Sequence, residues 1–379
     1  MRIGIFRTFP IPLKLKLYNI QEIGLAKGLL KQGYSVDVFS FFEDVENTTI
    51  YYSYDGLRLR LIPLKGISIG GRISVIEGIS KHLSCEDYDV IQVHETSQLM
   101  NAYILKKAKK LGIKTVLYQG VYQDYSGIGR FYQYILDTIF QKTLKCNSDY
   151  VFAKTTMAKK YLEKKGFRDI KVLPVGLDID VYSETCFRNE LVEEFTNNFE
   201  NIFLYVGILE KRRNVSFLID VLKRLSKDEV KGGKYGLLII GQGPEKEFIK
   251  NLVRAYNLQN KVLIFDSIPN KLIGSVFSKC DLLLLPSLYE IFGMVVLEAL
   301  YFGIPVFSTP TAGPKDIIKN YEYGRILDLD LDYWCLEIEE YLEHEKKHKR
   351  ERCLLRRRFV KSHYNWDKIS QKYTEIIGF

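Results

Sequence analysis

The chain has 379 residues, of which 46% are hydrophobic and 27% charged. That is enough for two domains of about 150 residues, each with its own core, and it excludes a disordered or low-complexity protein. The formal net charge is +9, most of it from the first 180 residues, which suits an anionic partner and equally an ordinary solvated surface.

In chain order, short apolar runs alternate with helical patterns. The runs Arg2–Phe6, Ser35–Phe39, Leu57–Ile62, Val90–His94, Thr115–Tyr118, Tyr150–Ala153 and Lys171–Pro174 read as strands, several apolar throughout as buried parallel strands are. Helices are expected at about 19–31, ending near Gly33, and at Gln98–Leu111, ending at Gly112. The pattern restarts near Asn201. Strands are expected at Ile202–Val206, Gly236–Ile240, Val262–Phe265, Leu282–Leu285, Val306–Ser308 and Gly324–Leu327. Helices are expected at about Val215–Leu225, Glu245–Tyr256, Asn270–Ser278 and Met294–Phe302, and the tail from Leu331 is helical and charged. Strand–helix alternation in both halves predicts two doubly wound α/β domains. The expected division is residues 1–185, 186–355 and a final helical segment 356–379.

The six cysteines, Cys85, Cys146, Cys186, Cys280, Cys335 and Cys353, include no CxxC pair, which argues against a zinc or disulfide framework. The start MRIGIFRTFPIP lacks the apolar core of a signal peptide, and no apolar run approaches the ~20 residues of a membrane span. The expected location is therefore cytoplasmic, with any membrane contact peripheral.

The stretch Asp281–Pro314 carries the most chemistry. A strand runs into Pro286 and Ser287, and a short loop leads through Gly293 into a helix. Such a turn points free backbone N–H groups at a ligand, as phosphate sites do. Glu290 sits in the loop and Glu298 on the helix. Taken singly, Glu290 reads as a solvated loop residue and Glu298 as the polar point of an apolar helix. A carboxylate inside VVLEALYFGIPV is nonetheless costly to bury without partners.

The run Pro286-Ser-Leu-Tyr-Glu-Ile-Phe-Gly, with Leu297-Glu-Ala-Leu and Gly303-Ile-Pro-Val after it, resembles the signature of retaining glycosyltransferases of family four. Gly207 with Lys211-Arg-Arg213, Gly241-Gln-Gly-Pro244, Asp281 and Thr311-Ala-Gly-Pro314 fit the same order. Gly33-Tyr-Ser-Val36, Asp89-Val-Ile91 with His94, and Pro174-Val-Gly-Leu-Asp178 fit in the first half. The resemblance implies the GT-B fold: two facing Rossmann-like domains, the first for the acceptor and the second for the donor, with a last helix crossing back to the first.

It also implies roles. Glu298 would bind the donor ribose and Glu290 the transferred sugar. The backbone of Ile291, Phe292, Gly293 and Met294, with Gly207, would hold the diphosphate. Arg213 or Arg212 would neutralise charge on the leaving group in place of the usual lysine, and Gly243 would lie near the base. No metal or cofactor is implied beyond a UDP- or GDP-linked sugar as donor. Two positions depart from the family: Ile208 stands where an arginine is common, and Gln119 where a histidine near the reacting sugar is common. Gln119 hydrogen-bonds but does not titrate. Proton transfer directly from acceptor to departing phosphate accommodates that change.

Other motifs weigh less. Gly241-x-Gly243 lacks the position and acid of a dinucleotide fingerprint. His344-Glu-Lys-Lys-His348 matches the HExxH zinc pattern literally but reads as a solvated helix, as do Lys106–Lys110 and Arg356–Arg358. The segment Pro10–Tyr18 interleaves apolar and basic residues as an acceptor-side or membrane contact would, and equally as a surface loop would. The expected activity is retaining transfer of a sugar to an acceptor hydroxyl in surface polysaccharide or glycolipid assembly. The partners are a nucleotide sugar, a glycan or lipid-linked acceptor and an anionic membrane surface, without nucleic acid. The alternatives are a nucleotide-sugar epimerase or a catalytically inactive binding subunit of the same fold.

Overall fold

The computed structural model describes residues 1–15, 20–69, 73–84, 88–124, 127–182, 189–227 and 234–379. The chain forms two compact units, Met1–Asp178 with Tyr364–Phe379, and Ile179–His363.

The strands of the first unit are β1 (Arg2–Phe6), β2 (Ser35–Ser40), β3 (Thr49–Tyr54), β4 (Leu57–Pro63), β5 (Gly66–Ile69), β6 (Ile73–Ile76), β7 (Val90–His94), β8 (Lys114–Gln119), β9 (Tyr150–Ala153) and β10 (Lys171–Val172). Eight make one sheet in the order β10-β9-β8-β7-β1-β2-β4-β3, parallel except for the antiparallel β3–β4 pair, and β5 and β6 form a separate hairpin. The central strands are buried along their length, β7 at all five positions, because helices cover both faces of such a sheet.

The second unit holds β11 (Asn201–Val206), β12 (Tyr235–Ile240), β13 (Val262–Phe265), β14 (Leu282–Leu285), β15 (Val306–Ser308) and β16 (Gly324–Ile326). They form a parallel sheet in the order β13-β12-β11-β14-β15-β16. The order reverses between β11 and β14, and between β1 and β7 in the first unit. Open α/β sheets leave a crevice at the carboxyl ends of the strands at such a reversal.

The predicted strands are all present, with ends shifted by a residue or two. The edge strand β3 and the β5–β6 hairpin go beyond the expected set. So does the helix Ile128–Cys146, whose exposed Phe131, Tyr134 and Ile139 blur the apolar stripe by which a helix is recognised. The charged tail resolves into three helices, Leu331–Lys346, Lys349–His363 and Trp366–Ile377.

The last helix packs on the helix Gln21–Lys31. A Cβ on Gly24 would collide with the Trp366 indole nitrogen, so only glycine lets the ring in. Gln32 Nε2 donates to Ser370 Oγ at 2.6 Å, and Lys31 pairs with Asp367 at 3.0 Å.

The expected join at 185/186 lies outside the described residues, as do Cys85, Cys186 and Lys16–Tyr18 of the basic N-terminal segment. The expected join at 355/356 falls inside the helix Lys349–His363, and the division comes after His363. Arg356 is the reason. It is 0% exposed and donates to the carbonyls of Glu322 and Gly303, to Glu345 Oε1 at 2.6 Å and to Tyr341 Oη at 3.1 Å. Arg356 is thus a buried anchor of the second unit, where the sequence suggested a surface cluster. The HExxH glutamate changes with it: Glu345 is buried and held by Arg352 and Arg356, and His344 Nδ1 lies 2.8 Å from Arg352.

Candidate active site

In the second unit the expected donor residues converge at the reversal between β11 and β14. The strand β14 is leucine throughout and ends at Pro286, which cannot continue a ladder. Gly293 then caps the helix Met294–Tyr301 with φ of 75°, a left-handed conformation that glycine adopts without strain. No side chain caps this helix end, and its first turn contains no acid. Its leading N–H groups and the positive end of its dipole are therefore open to an anion.

The turn Lys211–Arg213 after β11 docks on the loop before that helix. Leu288 N donates to Arg212 O at 2.8 Å, and Arg212 Nη1 reaches Tyr289 O at 3.4 Å. Arg213 forms an ion pair with Glu290, whose side chain is nearly buried, and Arg212 pairs with Glu210 at 2.7 Å. Gly243 sits where a Cβ would collide with Leu209 O, so glycine allows the ends of β11 and β12 to close together. Gly207 ends β11 next to them, and Ile208 is 55% exposed.

Glu298 is 2% exposed, and Tyr182 Oη donates to its Oε1 at 3.0 Å. Burial pushes its carboxyl up to about 7, partly opposed by that hydrogen bond. Tyr182 itself is held by rings, stacked on Tyr301 at 5.6 Å and edge-on to Phe302 at 5.0 Å. Tyr182 is absent from the residues singled out by sequence; nothing in its neighbourhood of sequence points to a contact 116 residues away. Asp281 plays a structural part, accepting from Ile202 N at 2.8 Å.

Gln119 belongs to the first unit. It is 1% exposed, its Oε1 accepts from Thr96 N at 2.9 Å, and its Nε2 donates to Val121 O at 2.9 Å. The amide thereby ties together the loops after β7 and β8, and both of its ends are engaged.

Around it lies a set of buried and half-buried ionisable groups, of which only His94 belongs to a motif of the sequence. Glu95, at φ 70°, accepts from Gly120 N and Val121 N. Burial pushes the Glu95 carboxyl up. His94 Nδ1 lies 3.5 Å from Glu22 Oε1, and burial pushes the imidazole down to about 4, so it is neutral at pH 7. Lys154 follows β9 and is 8% exposed. All but Glu22 sit where an apolar strand ends, which is the available signal: His94-Glu95, Gln119-Gly120 and Ala153-Lys154 each put polar residues at a carboxyl end.

Two family models match the chain, one over each half. Residues 188–353 match the family described as Glycosyl transferases group 1, and residues 23–181 match Glycosyltransferase Family 4. A 2-deoxystreptamine N-acetyl-D-glucosaminyltransferase of Niallia circulans is 32% identical over 125 residues, which span 33% of this chain and 31% of that enzyme. An uncharacterised 41.2 kDa protein of the cps region of Klebsiella pneumoniae is 25% identical across 82% of this chain and 84% of its own. The crystal structure of the Anabaena protein HepE in complex with UDP superposes with a TM-score of 0.71 at 14% identity, covering 100% of this chain and 99% of that one. That last likeness is one of fold. Among the described residues no helix is long and apolar enough to cross a membrane. Both sheets, their strand orders and the two matched segments agree: the chain has the GT-B fold, its second half resembles the Glycosyl transferases group 1 family and its first half Glycosyltransferase Family 4.

Proposed function

We propose that the protein transfers a sugar from a UDP- or GDP-linked donor to an acceptor hydroxyl with retention of configuration and without a bound metal. The observation that carries this reading is the grouping of Glu298, the Arg213–Glu290 pair and an uncapped helix end at one strand reversal.

Tyr182 occupies one oxygen of Glu298, and the other has no hydrogen-bond partner among the described residues. That oxygen accepts from the donor ribose. The helix end at Gly293 and Arg212 receive the diphosphate. Arg213 holds Glu290 toward the sugar hydroxyls and, with the helix dipole, stabilises charge growing on the departing phosphate. Gln119 shapes the acceptor-side loops and moves no proton, so the acceptor proton passes to the leaving phosphate.

A glycan or lipid-linked acceptor at an anionic membrane surface fits the helix Ile128–Cys146. Its exposed Phe131, Tyr134, Ile135 and Ile139 recur at helical spacing, and the same helix carries Arg130 and Lys142. Such a face lies in the interfacial plane of a bilayer.

The test is a donor screen with UDP-, GDP-, ADP- and CMP-sugars, without added metal. It reads thermal stabilisation and slow nucleotide release, with Glu298→Ala as control. Stabilisation by one nucleotide family, lost in the variant, supports the assignment. No binding by any nucleotide removes the donor site and favours an inactive binding subunit.

A further inference from the structure

Lys154 stands where β9 ends and is 8% exposed. Among the described residues its side chain makes no ion pair and no hydrogen bond. The ammonium faces the Tyr118 ring, 5.4 Å from the centroid, while Tyr118 Oη donates elsewhere, to Leu173 O at 3.0 Å. Lysine is almost never buried to this extent unless it is paired, because an ammonium taken out of water needs acceptors for its hydrogens. The enclosed side-chain atoms without a partner do not include Lys154 Nζ, which therefore keeps an open side that a ligand can reach.

Glu95, half-buried at the end of β7, lies across from it. Its Oε1 accepts from Gly120 N at 2.9 Å and its Oε2 from Val121 N at 3.1 Å. Each carboxylate oxygen accepts twice, so each has a lone pair left. Gly120 sits between the two heads. A Cβ there would stand 3.0 Å from Glu95 Oε1 and 3.1 Å from Lys154 Nζ, which puts the heads about 6 Å apart or less. One oxygen atom within hydrogen-bond distance of both spans such a gap, and glycine at 120 keeps it clear.

The charges here balance. Arg7 and Lys154 stand against Glu22 and Glu95, and His94 is neutral. A phosphate or carboxylate placed against Lys154 would also meet the Glu95 carboxylate. A hydroxyl suits both heads at once: its lone pairs accept from the ammonium and its hydrogen goes to the carboxylate.

We propose that Lys154 and Glu95 form a hydroxyl-binding subsite on the first unit, and that its ligand is an uncharged sugar of the acceptor. This rests on the reading of the first unit as the acceptor side. The hydroxyl held is one beside the position of transfer, so the pair selects the acceptor sugar and takes no part in the chemistry.

Ligand-observed saturation-transfer NMR on the full chain tests it, with and without UDP. The probes are the methyl glycosides of glucose, galactose, mannose and N-acetylglucosamine, with glucose 6-phosphate and methyl glucuronide as charged counterparts. At least one neutral glycoside binds saturably. Lys154→Met keeps the apolar stem, loses the charge-assisted hydrogen bond and weakens that binding about tenfold or more. Gly120→Ala weakens it as well by filling the gap; the backbone there is outside the left-handed region, so alanine is accommodated as the flexible Lys154 stem gives way. UDP affinity is unchanged in both variants. The inference is overturned if no neutral glycoside binds saturably, if binding survives both substitutions, or if a charged counterpart binds more tightly than methyl glucoside. Absence of UDP binding to the wild-type chain removes the donor assignment, whereas normal UDP binding alongside any of those three outcomes removes the subsite alone.

Discussion

Replacing Glu298 by glutamine removes an ionisation while keeping the oxygen to which Tyr182 donates at 3.0 Å. Burial raises the carboxyl from its usual 4.5 to about 7. The folded chain therefore keeps a proton that the unfolded chain loses between those values. The resulting stabilisation is complete below pH 4.5, is lost as the pH rises toward 7, and does not return above it. At about 1.4 kcal/mol per pH unit, the loss sums to about 3 kcal/mol. The amide of Glu298→Gln does not titrate. Its extra hydrogens cost a pH-independent amount, about 1–3 kcal/mol if they stay unpaired. The difference between variant and wild type should thus move by about 3 kcal/mol in favour of the variant from about pH 4.5 to about pH 8. Denaturant unfolding at several pH values measures it. Trp334 reports on the second unit, and Trp366→Phe in both proteins removes the other tryptophan. A difference that stays flat across this range would refute the argument that Glu298 is buried with one weak partner.

Other outcomes follow from the same structure. Arg213→Gln should lower the turnover of donor by about 100-fold or more while leaving nucleotide affinity nearly intact, since its charge matters most as the phosphate departs; steady-state release of nucleotide reads both. Arg356→Met should destabilise the second unit by about 3–5 kcal/mol, because it strands buried Glu345 beside Arg352 alone, as seen by urea unfolding. Gly24→Ala should loosen the last helix, whose Trp366 indole occupies the space of the new methyl, and hydrogen exchange over Trp366–Ile377 should rise. Phe131→Ser with Ile139→Ser should weaken sedimentation with vesicles containing anionic lipid by about 100-fold or more, at about 1.5–3 kcal/mol for each exposed apolar side chain that a bilayer would bury, with neutral vesicles as control.

Local signals carried the alternation of apolar strand and helix, hence two doubly wound sheets, and the loop from Pro286 to Gly293 that leads Glu290 to Glu298. They are a run of leucines, a proline that ends a strand, and a glycine that turns the chain into a helix. What those residues touch came only with the packed chain. Tyr182 reaches Glu298 across 116 positions, and Arg213 reaches Glu290 across 77. No spacing encodes such pairings, because they arise only when separate loops meet at one strand reversal. Arg356 shows the same limit in reverse. In the run Arg356–Arg358 it is indistinguishable from a surface cation, yet it is buried among carbonyls and Glu345. A charge is legible in sequence, while its burial depends on whether folding supplies acceptors for every hydrogen it must bring inside. Gln119 was visible as a departure from the family, but that its amide is spent on the backbone of two loops follows from how β7 and β8 lie side by side.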